Sequence, residues 1–238
     1  MSKDLIISSV LSPELDEHSY LNPPGGGIYT FLNPVSYLEA RKRTSLFLQF
    51  DGIFVDGSLL AKAIRLLYGR KVTRRSFDMT SMGSEVFSYA EENGKSIYIV
   101  SSGQSQVERA IASIRERYPN LMIAGYRNGY FSDEHEMDEA VHSIVPMHPD
   151  YLIVGMGIIK QEEFLLRAKE AGYRGIGFTC GGFISQIAQN NIDYYPAWVD
   201  RMNVRFLYRM YKEPHTRKRY LKAGVLFPIV FLKERFFG

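Results

Sequence analysis

Asp56 is the residue whose setting first suggests chemistry. Asp51-Gly52 and Asp56-Gly57 flank Ile53-Phe54-Val55, which puts Asp56 where a strand gives way to a helix. A carboxylate there can cap the helix; it can equally take a proton from a hydroxyl held within hydrogen-bond reach. Three other groupings suit a phosphorylated ligand that carries a ring. Arg74-Arg75 precedes Ser76-Phe77-Asp78, either to meet phosphate or as a solvated surface pair. Lys160-Gln161-Glu162 opens a helix just after Gly155-Met156-Gly157, where backbone N–H groups and a Lys can hold phosphate, or where an ordinary polar first turn stands. Gly125-Tyr126-Arg127-Asn128-Gly129-Tyr130-Phe131 joins turn glycines to rings that can stack on a base or fill a tight turn.

Generic signatures are missing. No Walker-type Lys-Ser or Lys-Thr follows a glycine-rich loop, and Gly155 and Gly157 lack the third glycine of a dinucleotide fingerprint. His18, His135, His142, His148 and His215 show no metal-ligand spacing, so no metal site is expected. Cys180 ends an apolar strand with no base paired to it, which fits a core residue better than a nucleophile. As the one cysteine it makes no intrachain disulfide and fits a reducing compartment.

The elements that must position these residues alternate. Pro23-Pro24-Gly25-Gly26-Gly27 reads as a loop. Beyond it, Ser45–Phe50, Ser96–Val100, Leu121–Ala124, Tyr151–Val154 and Ile176–Thr179 read as strands, and Leu59–Tyr68, Ser105–Tyr118, Asp133–Val145 and Gln161–Ala171 carry helical spacing. Strand and helix in turn, with glycine after the strands, predict an α/β, Rossmann-like, mostly parallel sheet flanked by helices. Ligands of such sheets sit beyond the carboxyl ends of the strands. The turns after Val100, Val154 and Thr179 are therefore expected on one edge.

Composition bounds the rest. The 45% apolar and 23% charged residues are those of a protein able to bury a core. The first residues lack the basic start and long apolar core of a signal peptide, and no run approaches the roughly 18–20 apolar residues of a membrane span, so a cytoplasmic chain is expected. The net charge of +3 is uneven: residues 201–238 hold ten Lys/Arg and two acids, a net +8, against −5 before them. The division expected is an α/β domain over 1–195 and a basic helical C-terminal appendage over 196–238. In that appendage Arg205, Arg209 and Lys212 recur at helical spacing among aromatics, a pattern that suits an anionic lipid surface. Phe227, Phe231, Phe236 and Phe237 would be the groups that insert. Packing back on the body is the other reading of the segment.

Taken in order, the pieces form a longer pattern. Asp56-Gly57 stands before a helix, followed by Arg74 and Ser76, Tyr118-Pro119, and Gly125 through Asn128-Gly129-Tyr130-Phe131. Val154-Gly155 with Gly157, Lys160-Gln161-Glu162 and Gly181-Gly182-Phe183 come next. Pro196 with Trp198, Leu207-Tyr208-Arg209, and Glu213-Pro214 with Arg217 and Arg219-Tyr220 close it. This pattern resembles glycosyltransferase family 26, the WecG/TagA/CpsF family of bacterial surface-polysaccharide enzymes.

The resemblance implies an inverting, metal-independent transfer from a UDP-sugar to an undecaprenyl-diphosphate-linked acceptor, at the cytoplasmic face of the membrane and without a cofactor. It implies Asp56 as the general base. Arg74, Lys160, Gln161 and the Gly155–Gly157 turn would meet the diphosphate, Asn128 and Tyr130 the nucleoside, and Thr30 and Asn33 the sugar. Arg205, Arg209, Arg217 and Arg219 would serve the acceptor and membrane. Family members form oligomers, so a homo-oligomer is an expected partner. Phe31, Ile159, Ser185 and Arg205-Phe206 stand where the family usually has Thr, Pro, Asp and Glu-Trp, which marks a divergent branch and leaves the donor sugar open. Two other readings stand beside it: a catalytically idle nucleotide-sugar-binding subunit, and a nucleic-acid-binding protein. The second lacks a recognisable module, so no nucleic acid is expected as a partner.

Overall fold

Six short runs form one sheet: β1 (Gly27–Leu32), β2 (Gly52–Val55), β3 (Ser96–Ser101), β4 (Met122–Arg127), β5 (Tyr151–Gly155) and β6 (Ile176–Thr179). Their order is β2-β1-β6-β5-β3-β4 and every neighbouring pair is parallel. The computed structural model describes residues 5–10, 19–190, 194, 196, 198–199, 202 and 204–237. His18, the division near Tyr195 and Arg201 lie outside the described residues.

Alternation along the strands sorts the core. Ile97, Ile99, Tyr151 and Ile153 join one buried cluster, while Tyr98, Val100, Leu152 and Val154 join another. Successive side chains point to opposite faces, and strands buried on both faces are the mark of a parallel sheet covered by helices. Helices α1 (Leu5–Ser8), α2 (Pro34–Ala40), α3 (Thr44–Phe47) and α4 (Ser58–Tyr68) pack about β1 and β2. Helices α5 (Met82–Glu92), α6 (Gln104–Arg117) and α9 (Phe183–Asn190) cover the first face; α7 (Glu134–Ile144) and α8 (Lys160–Glu170) cover the second. The α/β, Rossmann-like architecture is as the sequence predicts.

Ser45–Phe50 is a correction. It is α3 and a turn, not a strand, because Phe47 and Phe50 share one buried side three residues apart while Leu48 and Gln49 between them are exposed. That is helical spacing. The strand role falls to Gly52–Val55.

Two helices end the chain, α10 (Arg205–Lys212) and α11 (Arg217–Phe237). No residue of α10 is buried. On α11, Ala223, Phe227, Phe231 and Glu234 are buried against α2. Tyr37 meets the rings of Phe227 and Phe231 at 5.7 and 5.2 Å. The Glu234 carboxylate accepts from Tyr37 OH at 2.7 Å and from Arg41 Nε at 2.5 Å. Phe227 and Phe231 are thus core residues and do not insert elsewhere. The opposite side of α11 exposes Leu221, Val225, Ile229, Leu232 and Phe236. Among the described residues, no helix is long and apolar enough to cross a membrane.

Candidate active site

β6, β5 and β3 are neighbours and parallel, so the turns after Thr179, Val154 and Val100 open on one edge. Gly155 must be glycine there: a Cβ would come within 2.5 Å of Ser101 Oγ and 2.6 Å of Gly181 O. Gly157, at φ +83°, takes a left-handed turn that side chains disfavour. Above these turns lies a cleft of about 380 Å³ lined by Gly155, Gly157, Gln161, Thr179, Gly181 and Tyr130, among others.

A second cavity of about 210 Å³ adjoins it, lined by Pro34, Leu59, Phe206, Ala223 and Gly224 together with Arg74 and Arg205. Asn33, Val35, Asp56, Asp78, Arg209 and Tyr220 line both spaces. Asp56 is held in this shared wall because its N–H donates to Leu32 O at 2.8 Å, prolonging the β1–β2 ladder by one residue. Asn33 is fixed by capping α2: its Oδ1 accepts from the N–H of Val35 and Ser36 at 2.9 and 3.0 Å.

Burial raises the pKa of Asp56, and the Asp78 carboxylate raises it further; Arg74, Arg205 and Arg209 act the other way. Loss of water and a like charge both penalise the ionised form. Cations nearby keep that form accessible, which is the setting a general base requires. Arg74 reaches the site through a single parallel bridge between Val55 and Arg74. Arg205 donates to Asp78 Oδ2 at 2.6 Å and to Ser76 Oγ at 2.9 Å. Arg209 Nε donates to both oxygens of Glu213 at 3.2 Å.

The remaining sequence candidates divide. Tyr130 stands exposed at the rim of the cleft, and Asn128 shapes its turn by accepting the Tyr130 N–H at 3.0 Å. Arg219 lines the cleft beside Tyr220. Lys160 is exposed at the start of α8 and lines neither cavity, although its neighbours Ile158 and Gln161 line the cleft. Arg217 lies outside both cavities, its Nε on Met210 O at 2.8 Å. Thr30 is fully buried beneath the floor and donates to Glu162 Oε1 at 2.8 Å. Cys180 also borders the cleft, but burial pushes its thiol up to about 12, which leaves it protonated and unreactive.

The sequence names Asp78, Glu213, His215 and Ser185 without giving them a place in the site, and it does not single out Ser102, whose hydroxyl lies 2.7 Å from that of Ser185. Asp78, His215, Ser102 and Ser185 line the cleft. Asp78 had a signal in its position after the Arg-Arg-Ser-Phe run, Glu213 in the closing pattern and Ser185 as a departure from it; His215 and Ser102 are ordinary polar residues until the fold gathers them.

A parallel α/β sheet with a ligand cleft on its carboxyl edge, and a carboxylate between two cavities, is the build of a group-transfer enzyme. Residues 17–238 match the model of the Glycosyl transferase WecG/TagA/CpsF family, and the chain belongs to that family of glycosyltransferases. It is 35% identical over 208 residues to the Shigella boydii UDP-Gal:alpha-D-GlcNAc-diphosphoundecaprenol beta-1,4-galactosyltransferase, covering 87% of this chain and 86% of that one. It is 24% identical over 234 residues to the Bacillus subtilis N-acetylglucosaminyldiphosphoundecaprenol N-acetyl-beta-D-mannosaminyltransferase, covering 96% and 88%. A Staphylococcus aureus protein of that same name is 26% identical over 174 residues, covering 73% and 64%.

Proposed function

We propose that this chain transfers a sugar, with inversion, from a UDP-sugar to an undecaprenyl-diphosphate-linked sugar in the building of a bacterial surface polysaccharide. One observation carries the reading: Asp56 stands in the wall common to the two cavities. Donor and acceptor held one in each would present their reacting carbon and hydroxyl to the same carboxylate. The acceptor hydroxyl loses its proton to Asp56 as its oxygen attacks the anomeric carbon, and the bond to UDP breaks in the same displacement. One displacement inverts the centre and forms no covalent intermediate.

The larger cleft suits the donor. Its glycine turns leave room for backbone N–H groups close to a diphosphate, and Arg209 and Arg219 supply charge as UDP departs. No metal enters this reading. In it the charge that develops on UDP is met by Arg209 and Arg219, both of which line the cleft. The second cavity, with its apolar wall and its Arg74 and Arg205, suits a diphosphate joined to a lipid.

The same reading puts the protein on the membrane surface without spanning it. Phe206, Leu207 and Tyr211 on α10 and Leu221, Val225, Ile229, Leu232 and Phe236 on α11 are exposed, with Lys218, Lys222 and Lys233 exposed among them. Apolar groups rimmed by lysines are the pattern of an interfacial helix, at ~1 kcal/mol per basic residue near anionic lipid. The deciding experiment is a panel of UDP-sugars offered with undecaprenyl-diphosphate-linked N-acetylglucosamine, reading released UDP and the anomeric configuration of the product. No acceptor-dependent UDP release from any donor would sink the proposal in favour of a binding subunit.

A further inference from the structure

Glu162 is a carboxylate with 1% of its surface exposed. Burying a charge is expensive unless hydrogen bonds replace its water. Three donors do so: Thr30 Oγ1 at 2.8 Å and Gln161 Nε2 at 2.9 Å on Oε1, and Ile159 N–H at 2.6 Å on Oε2. These bonds also fix the direction of every bond beyond them.

A hydroxyl has one hydrogen. With Glu162 ionised, Thr30 gives its own to the carboxylate, which makes Thr179 the donor in the 3.0 Å contact between Thr30 Oγ1 and Thr179 Oγ1. The Thr179 hydrogen is thereby committed inward, and its oxygen keeps a lone pair. Gln161 is set in the same way. Its NH2 faces the carboxylate, which turns Oε1 to the other side, where it accepts from Gly181 N–H at 3.2 Å and retains a second lone pair. Gln161 and Thr179 both line the cleft.

We propose that Glu162 is a positioning residue that makes the inner floor of the cleft a hydrogen-bond acceptor, so that Gln161 and Thr179 read hydroxyl groups of the transferred sugar. Lone pairs repel phosphate oxygens and pair with O–H groups. Gln161 therefore moves from the diphosphate, where the family resemblance would put it, to the sugar, and the diphosphate is left to Arg209, Arg219 and the turn N–H groups. The inference rests on the donor-site reading above and names the part of that site which selects the sugar. Glutamine at position 162 would offer one acceptor and two hydrogens in place of two acceptors. Thr30 would then accept, its hydrogen would turn to Thr179, and the floor would present hydrogens where it had presented lone pairs.

The test is the ratio of the Kd for a UDP-sugar to the Kd for UDP, measured by calorimetry on the full chain with UDP-galactose, UDP-glucose and UDP-N-acetylglucosamine. Glu162→Gln is expected to raise that ratio about tenfold for each sugar nucleotide the wild type binds, with UDP itself within twofold. Thr179→Val should raise it as well, and Thr179→Ser, which keeps the hydroxyl, should restore it. If Glu162→Gln does not fold, the Val and Ser variants at position 179 decide the matter. An unchanged ratio in the folded variants, or equal weakening of UDP and UDP-sugar, overturns the assignment of Glu162 while leaving the donor site standing. Wild-type protein that binds neither UDP nor any of the three sugar nucleotides overturns the donor-site reading, and this inference with it.

Discussion

Arg205 of α10 lies against Asp78, 127 residues away in sequence, with Nη1 at 2.6 Å from Oδ2. Asp78 is buried, and its other oxygen accepts from the N–H and hydroxyl of Thr80 at 2.9 and 2.7 Å. The pair ties the basic helix to the turn before α5 and places one positive and one negative charge beside Asp56. The two charges act oppositely on that carboxylate.

Opposite shifts in the pH–rate profile follow. Asp78 raises the Asp56 pKa, so Asp78→Asn should move the acid limb of kcat/KM to lower pH. Arg205 lowers it, so Arg205→Ala should move the same limb to higher pH, because one cation is lost and Asp78 loses its partner. Limbs that move together, or stay still, would show that the limb reports some group other than Asp56.

Asp56→Asn keeps the shape but cannot take the proton at neutral pH. Turnover should fall by ~10²–10⁴-fold while UDP affinity changes little. Near-normal turnover would leave Asp56 as a structural end to β2.

Arg74 borders only the second cavity, whereas Arg209 borders both. Arg74→Ala should therefore raise the KM for a lipid-diphosphate acceptor and leave UDP binding nearly intact, while Arg209→Ala weakens both. Chelator should leave turnover unchanged; loss of turnover restored by magnesium or manganese would overturn the metal-free reading.

The two sides of α11 should separate on substitution. Phe227→Ala opens a cavity in the core against Tyr37, at a cost of ~3–5 kcal/mol read by denaturant unfolding. Paired Val225→Asp and Ile229→Asp changes, on the exposed side, should leave unfolding nearly unchanged but release the protein from anionic vesicles. Wild-type protein should also leave vesicles as salt rises, since screening limits the reach of the lysines to ~8 Å at physiological strength. Wild-type indifference to vesicles at low salt would end the membrane reading.

Much of this molecule is written locally. The apolar runs at Ser96–Val100, Tyr151–Val154 and Ile176–Thr179 and the helices between them are set by side-chain period. Glycines after the strands mark the edge that carries the cleft, because a parallel sheet covered on both faces has few other ways to bury such runs. Asp56 was legible for the same reason: an Asp-Gly step at a strand end is a local signal.

What the chain could not disclose in one dimension is direction and partnership. β1 (Gly27–Leu32) pairs β2 on one side and β6 on the other, and only that insertion between distant strands brings Thr30 to Thr179 and Glu162. Ser45–Phe50 looked extended because a short apolar run suits either period; contacts of Phe47 and Phe50 decided it. Phe227 and Phe231 looked like their exposed neighbours on α11 until α2 covered one side of the helix. Spacing and residue type fix which groups can act. Which way a hydroxyl points and which side of a helix meets water depend on contacts between residues more than a hundred positions apart, and those exist only in the folded chain.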